Sequence, residues 1–408
     1  MLFTWLSRDG RLLFASKIVR SLGYGFLSVT LAIYLDLIGL DRVQIGTILM
    51  ATLVNSVIFT FISSFWADRF GRRKMVIIFG LLMSLAGLLF YFTENYLLLI
   101  LAAFIGTINV TGTEVGPFLS IEQAIIPQTC PPEKRNFAFA IYNMLGTLAM
   151  SVGVLAGGFP QYLQSIFGLS KAASVKPLFL LYSLLGVISA VIVSFMSDKV
   201  EMNSVNGPKK PLYQIFSPSS KKIVLKLSLL FGIDSFAGGF IIQSILSYWF
   251  FVKFGVNFAQ LSHIFFGTGV LTALSYLAAS ALAKRFGLVN TMVFSHIPSN
   301  ILLIFVPLAP SLPVAVGLLL ARMSLSQMDV PTRQSYIVAI VNPEERVPAA
   351  GITAMARNTA QAISPSITGY ILQFFSLSAP FFIAGGLKIV YDILLYLNFR
   401  KLKAPEER

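Results

Sequence analysis

Residues 64–74 read Ser-Phe-Trp-Ala-Asp-Arg-Phe-Gly-Arg-Arg-Lys, with a long apolar segment on either side. The charged residues are Asp68 against Arg69, Arg72, Arg73 and Lys74. Short loops on the cytoplasmic side of a membrane carry the excess of Lys and Arg. A loop this basic, between two segments each long enough to cross a bilayer, is therefore expected to face the cytoplasm.

The rest of the chain repeats that pattern. Of its 408 residues 56% are apolar and only 12% charged, and the mean hydropathy is +0.79. Soluble domains carry roughly twice that charged fraction. The ten-residue alternation of a membrane β-barrel is missing. In a soluble chain the net charge of +14 would suggest nucleic acid; here the cations sit in loops, so nucleic acid is not expected. The one cysteine, Cys130, cannot form an internal disulfide or a cysteine metal cluster. No cleavable leader is expected, because the first apolar segment is too long and lacks a small-residue cleavage site.

Twelve apolar segments can be marked: 12–38, 43–65, 74–93, 96–126, 137–159, 177–197, 223–252, 258–282, 289–308, 312–339, 348–374 and 380–399. At about 1.5 Å per residue each can span the hydrocarbon core as a helix. The connection 198–222, with Asn203, Asn206, Gly207, Pro208, Pro211 and Pro218, reads as a cytoplasmic linker between six-helix bundles at 1–197 and 223–408. With the N-terminus inside, 21 Lys and Arg fall in cytoplasmic stretches, four in external loops and six within segments. That bias sets both termini in the cytoplasm of a multi-pass protein of the cell membrane.

The halves also echo each other. Ala67, Arg69, Phe70 and Gly71 match Ala283, Arg285, Phe286 and Gly287. Pro132-Glu133-Lys134-Arg135 matches Pro343-Glu344-Glu345-Arg346, and Ser21, Gly25, Phe26 and Tyr34 match Ser235, Gly239, Phe240 and Tyr248. The offsets, between 211 and 216 residues, place each match at an equivalent topological point.

On these residues the chain resembles the major facilitator superfamily, whose loop between helices 2 and 3 reads G-x-x-x-D-R-x-G-R-R/K-R/K. Ser64 stands where the family has glycine; Asp68, Arg69, Gly71, Arg72, Arg73 and Lys74 all fit. The resemblance implies an all-α membrane protein of twelve transmembrane helices in two pseudo-symmetric six-helix bundles, acting as a monomeric transporter. It also implies gating roles for Asp68, Arg69 and Arg72. Two other features bear on drug efflux. The outer part of segment 4, Leu97 to Gly106, lacks the Arg usual in drug–proton antiporters. Segment 5 keeps Gly153, Gly157 and Gly158 of the antiporter turn but has Val154 for its proline.

Ionisable residues within the segments are the site candidates, since charge at bilayer depth is costly. Arg20 in segment 1 and Asp234 in segment 7 each lie about 15 Å from the cytoplasmic end. The repeat makes them equivalent, as anion ligand and proton carrier or as a mutual ion pair. Arg322 and Arg357 are further substrate-binding candidates, because guanidinium stays charged and grips oxyanions bidentately. Tyr24 and Phe236 are candidate wall residues. Glu114, flanked by Gly112, Gly116 and Pro117, joins Asp234 as a proton-coupling candidate. Glu122 and Arg333 are expected to form a gating salt bridge, with Asp329 as the alternative partner of Arg333. Lys388 and Asp392, at i and i+4, are expected to neutralise each other. His296 and His263 have no second ligand at metal spacing, and no phosphate-binding loop occurs.

The expected protein is a proton-coupled secondary transporter of a small organic or phosphorylated anion, without metal or cofactor and not an enzyme. The alternative is proton-driven efflux of amphipathic drugs or lipids.

Overall fold

The computed structural model describes residues 5–113, 115–131, 134–201, 216–342 and 345–402. Among them are sixteen α-helices and no strand. In chain order they are α1 (Arg8–Leu37), α2 (Arg42–Phe70), α3 (Arg72–Phe92), α4 (Tyr96–Ile105), α5 (Pro117–Ile125), α6 (Arg135–Ala156), α7 (Phe159–Phe167) and α8 (Lys171–Ser194). They continue as α9 (Pro218–Gly239), α10 (Gln243–Phe254), α11 (Phe258–Phe286), α12 (Leu288–Phe305), α13 (Leu312–Ser326), α14 (Asp329–Ala339), α15 (Arg346–Phe374) and α16 (Ala379–Phe399). Sixteen helices answer to twelve segments because segments 4, 7 and 10 are each broken in two and α7 follows segment 5 as a short extra helix. By length and composition nine helical runs can cross a membrane among the described residues. Segments 4 and 10 are too interrupted to count, and α15 is less apolar than the rest.

The break in segment 4 has a local cause. Between α4 and α5, Gly112 (φ +80°) and Gly116 (φ +116°) adopt backbone conformations that L side chains avoid. Asn109 closes the turn: its Oδ1 accepts from Thr111 N at 3.0 Å and its Nδ2 donates to Thr113 O at 2.6 Å. The freed carbonyl of Phe104 accepts from Asn55, and that of Thr107 from Tyr182 at 3.1 Å. Backbone freed at this depth must find such partners.

The chain divides into two compact units, Met1–Asn206 with Ile242–Gly269, and Gly207–Ile241 with Val270–Arg408. Residues 242–269 thus group with the first unit. In that unit α1 packs on α6 and α8, and α3 lies along α8. The α1–α6 crossing is backbone on backbone: a Cβ on Gly25 would sit 2.1 Å from Met150 O, and one on Gly153 2.1 Å from Leu22 O. Gly153 is accounted for by this packing. The helix α10 is fastened to α1 by polar contacts. Gln243 Nε2 donates to Ser28 Oγ at 2.7 Å, Ser244 Oγ to Ser28 O at 2.8 Å, Ser247 Oγ to Val29 O at 2.7 Å, and Tyr248 Oη to Asp36 Oδ1 at 2.8 Å.

In the second unit α9 packs on α15 and α16, and α12 on α16, α13 and α14. Its apolar core includes Phe231, Met292, Tyr336, Tyr391 and Leu395. The large apolar side chains left exposed, such as Leu229, Phe294, Phe374 and Leu397, are those a bilayer would cover.

Candidate functional site

Each unit carries a buried cluster of charge. In the first, Arg20 and Glu122 are both fully buried and pair at 2.8 Å through Arg20 Nη2 and Glu122 Oε2. Ser16 Oγ accepts from Arg20 Nη1 at 2.8 Å, and the Phe118 ring lies 4.0 Å from the guanidinium carbon. The Tyr142 hydroxyl donates to the same Glu122 oxygen, and Lys17 Nζ sits 3.7 Å from the centre of the Tyr142 ring. Helix α5, entered at Pro117, delivers Phe118 and Glu122 one turn apart to Arg20 on α1. Tyr24, one turn along α1, is buried with its ring centroid 6.4 Å from that of Tyr182.

In the second unit the cluster centres on Asp234 of α9. Lys388 Nζ lies 2.5 Å from Asp234 Oδ1, and Arg333 Nη1 3.6 Å from Oδ2. Arg333 is also 2.6 Å from Asp329 Oδ2, one turn back on α14. His296 Nδ1 is 2.8 Å from Asp392 Oδ1, and Asn300 Nδ2 donates to Asp392 Oδ2 at 2.9 Å. Arg357 Nε donates to Ser235 Oγ at 2.8 Å. Arg322 is only 7% exposed, yet its Nη1 faces the Met323 sulfur at 3.1 Å and its Nε has no partner. It makes no ion pair with a carboxylate among the described residues. Phe236 is half-buried, its ring against Phe240.

Several pairings expected from the sequence are corrected by these contacts. Arg20 is held by Glu122, and Asp234 by Lys388, so the alternative of a mutual Arg20–Asp234 pair gives way to partners within each unit. Glu122 is engaged by Arg20, and Arg333 by Asp329, the alternative partner expected from the sequence. Lys388 and Asp392 do not neutralise each other: Lys388 reaches α9, while His296 and Asn300 occupy both Asp392 oxygens. His296, read as isolated, belongs to the charge cluster. Glu114 lies outside the described residues, as does the side chain of Asp68. Arg69 is exposed at the end of α2. Arg72 is buried at the start of α3, and its backbone N–H donates to Glu201 Oε2 at 2.6 Å.

Sequence reasoning missed Tyr142, Glu201, Asn300 and the partnership of His296 with Asp392. For the last pair the available signal was that both are ionisable residues inside apolar segments. Among the described residues no group of three or more His, Cys, Asp or Glu could hold a metal ion.

Apolar helices long enough to span a bilayer, with charge buried in each unit, define a polytopic membrane protein. The sequence profile of the Major Facilitator Superfamily matches residues 13–252 and 229–408, and the chain belongs to that family. It is accordingly a transporter of small molecules and not an enzyme. An uncharacterized membrane protein of Saccharomyces cerevisiae is 30% identical, over 97% of this chain and 95% of that one. The quinolone resistance protein NorA of Staphylococcus aureus is 20% identical over 92% and 93% of the two chains. Among solved structures, a D-xylose–proton symporter superposes with a TM-score of 0.73 at 14% identity, covering 98% of each chain.

Proposed function

We propose that this protein is a proton-coupled secondary transporter of a small organic or phosphorylated anion. It works by alternating access between six-helix halves at 1–197 and 223–408, as a monomer with both termini in the cytoplasm. The observation that carries the anion reading is Arg322, a buried guanidinium whose Nη1 faces a thioether and which makes no ion pair with a carboxylate among the described residues. A buried cation is stable only when paired or when it meets an anionic ligand. Arg357, bonded to a neutral hydroxyl, is the second ligand. Arg20, satisfied by Glu122, contributes to the site only if that pair opens. Tyr24 and Phe236 serve as wall residues, and Asp68, Arg69 and Arg72 as gating residues. Asp234 is the coupling carboxylate of the second half, held by Lys388 and Arg333, and Glu114 is its counterpart in the first.

The test begins with a thermal-shift screen of the purified protein against carboxylates and phosphate esters, since a specific ligand stabilises by mass action. Flux of the radiolabelled hit into proteoliposomes is then measured. Arg322→Ala should weaken binding at least about tenfold, a loss of about 1.4 kcal/mol. An imposed inward-acid gradient should change the flux. Unchanged binding in Arg322→Ala rules out the anion site, and flux indifferent to the gradient rules out proton coupling. A screen answered only by lipophilic cations would favour drug efflux, the reading that the likeness to NorA supports.

A further inference from the structure

The outer face of α12 and α16, in the second unit, is apolar along its length and basic at one end. On α16 the large apolar side chains of Val390, Ile393, Leu394 and Leu397 are exposed. Their spacing, i, i+3, i+4 and i+7, makes them one stripe along the helix. The next position on that stripe is Arg400, which keeps a helical backbone (φ −56°, ψ −25°) and donates its N–H to Tyr396 O at 3.0 Å. Lys401 follows, and both side chains are exposed. A second stripe runs along α12 through Phe294, Ile301 and Phe305, all exposed. The two stripes adjoin: the rings of Phe294 and Tyr396 meet edge to face, their centroids 5.6 Å apart.

The basic end is a fixed structure. The Arg400 guanidinium carbon lies 5.5 Å from the centre of the Tyr396 ring, and Tyr336 Oη donates to Leu402 O at 2.9 Å, which pins the chain just beyond it. Lys284 and Arg285 close α11 at the same end, with Arg285 5.3 Å over the ring of the exposed Phe286. Leu288, the first residue of α12, shares an apolar cluster with Phe399 and Leu402, so the close of α11 lies near the close of α16. The unit's described carboxylates are engaged elsewhere: Asp234 by Lys388, Asp329 by Arg333, Asp392 by His296 and Asn300, and Glu345 by Ser217 and Asn342. None of Lys284, Arg285, Arg400 and Lys401 makes an ion pair among the described residues. The 21 residues of α16 span about 31 Å, the thickness of the hydrocarbon core, so these cations stand at headgroup level. Guanidinium matches a phosphate in charge and in its planar fork. A zwitterionic headgroup brings its own cation, whereas an anionic one supplies the missing counter-charge.

We propose that this face binds one anionic phospholipid from the leaflet on the side of the C-terminus. Its phosphate is held by Arg285 and Arg400, and its acyl chains lie on Phe294 and Leu397. The occupant is a lipid because the cations cap an apolar face that a soluble anion would leave uncovered. The site is independent of the transported substrate and of proton coupling.

The test titrates delipidated full-length protein in detergent with dioleoyl phosphatidylglycerol or dioleoyl phosphatidylcholine, read by native mass spectrometry. A single phosphatidylglycerol adduct should form at lower lipid concentration than the first phosphatidylcholine adduct. Arg285→Gln with Arg400→Gln should weaken that adduct about fivefold or more, since each basic residue at a membrane surface adds to the attraction. Phe294→Ala, which keeps every charge, should weaken it as well. Arg8→Gln with Arg11→Gln removes two exposed cations at the start of α1, in the first unit, and should leave it unchanged. Equal retention of the two lipids overturns the site, as does equal weakening by the two double variants, which would make the preference a property of net charge. An adduct indifferent to Phe294→Ala, or displaced by inorganic phosphate, would assign the cations to a soluble anion and overturn the lipid.

Discussion

At the residue scale, the buried charges found in the sequence are the ones the structure clusters, but their partners are not. Arg20 and Asp234 were legible because an ionisable residue deep in an apolar segment stands out. Arg333 with Asp329 was legible as an alternative because i and i+4 share a helix face. Lys388 and Asp392 have the same spacing and do not pair, because His296, Asn300 and Asp234 on other helices offer closer matches. Spacing states what can meet; helix rotation and packing decide what does. The Arg20–Glu122 pair yields a stability prediction. Removing one partner of a fully buried pair typically costs about 3–5 kcal/mol, whereas replacing both with apolar groups is often near neutral. Glu122→Gln should lower thermal stability in detergent sharply, and Arg20→Met with Glu122→Leu should restore most of it. A double variant as unstable as the single one would show that the pair is not what holds this region.

At the element scale, glycine and proline marked the break of segment 4, since Gly112, Gly116 and Pro117 are a local signal. The break of segment 7 after Gly239 was not legible, because α10 is aligned by its side-chain bonds to α1, a distant element. The α1–α6 crossing gives a direct test of packing. Gly25→Ala places a Cβ 2.1 Å from Met150 O, an overlap the helices must separate to relieve. A loss of about 1–3 kcal/mol is expected, read from chemical unfolding in detergent; an unaffected variant would mean that α1 and α6 do not approach so closely. A second test concerns Glu345, in the loop before α15. Its Oε1 accepts from Ser217 N at 2.6 Å and its Oε2 from Asn342 N at 3.2 Å, fixing the start of α9. Burial raises its carboxyl, but hydrogen bonds from Ser220, Ser217 and Asn342 outweigh that and hold it down to about 2, from an ordinary 4.5. A depressed carboxyl stabilises the fold fully above its unfolded value and progressively less as pH falls through the folded one. Glu345→Gln should therefore speed amide exchange at Ser217–Lys221 near pH 6, with the difference from wild type fading between pH 4.5 and about 2. A difference that persists at the acid end would assign the effect to packing instead of charge.

At the scale of the whole molecule, the proposed movement of halves at 1–197 and 223–408 against each other would require the bonds from α10 to α1 to break and re-form. Each hydrogen bond lost should weaken that seam by about 0.5–1.5 kcal/mol. With Ser247→Cys as a reporter on a Cys130→Ser background, adding Gln243→Ala and Tyr248→Phe should raise labelling by a membrane-impermeant maleimide several-fold. An unchanged rate would show that the seam does not open in the cycle. The basic loop at 64–74, the apolar segments and the internal repeat were enough to reach an all-α membrane protein of the major facilitator type, because bilayer thickness and the cost of unsatisfied backbone leave few alternatives. Those constraints act on composition and length, which a sequence displays. Only the tertiary structure decided that Arg20 belongs to Glu122, that Lys388 belongs to Asp234, that His296 completes the second cluster, and that residues 242–269 join the first unit. Each depends on the angles at which separate helices pack, and a pairwise charge attraction is too promiscuous to choose among several buried partners before that packing is set.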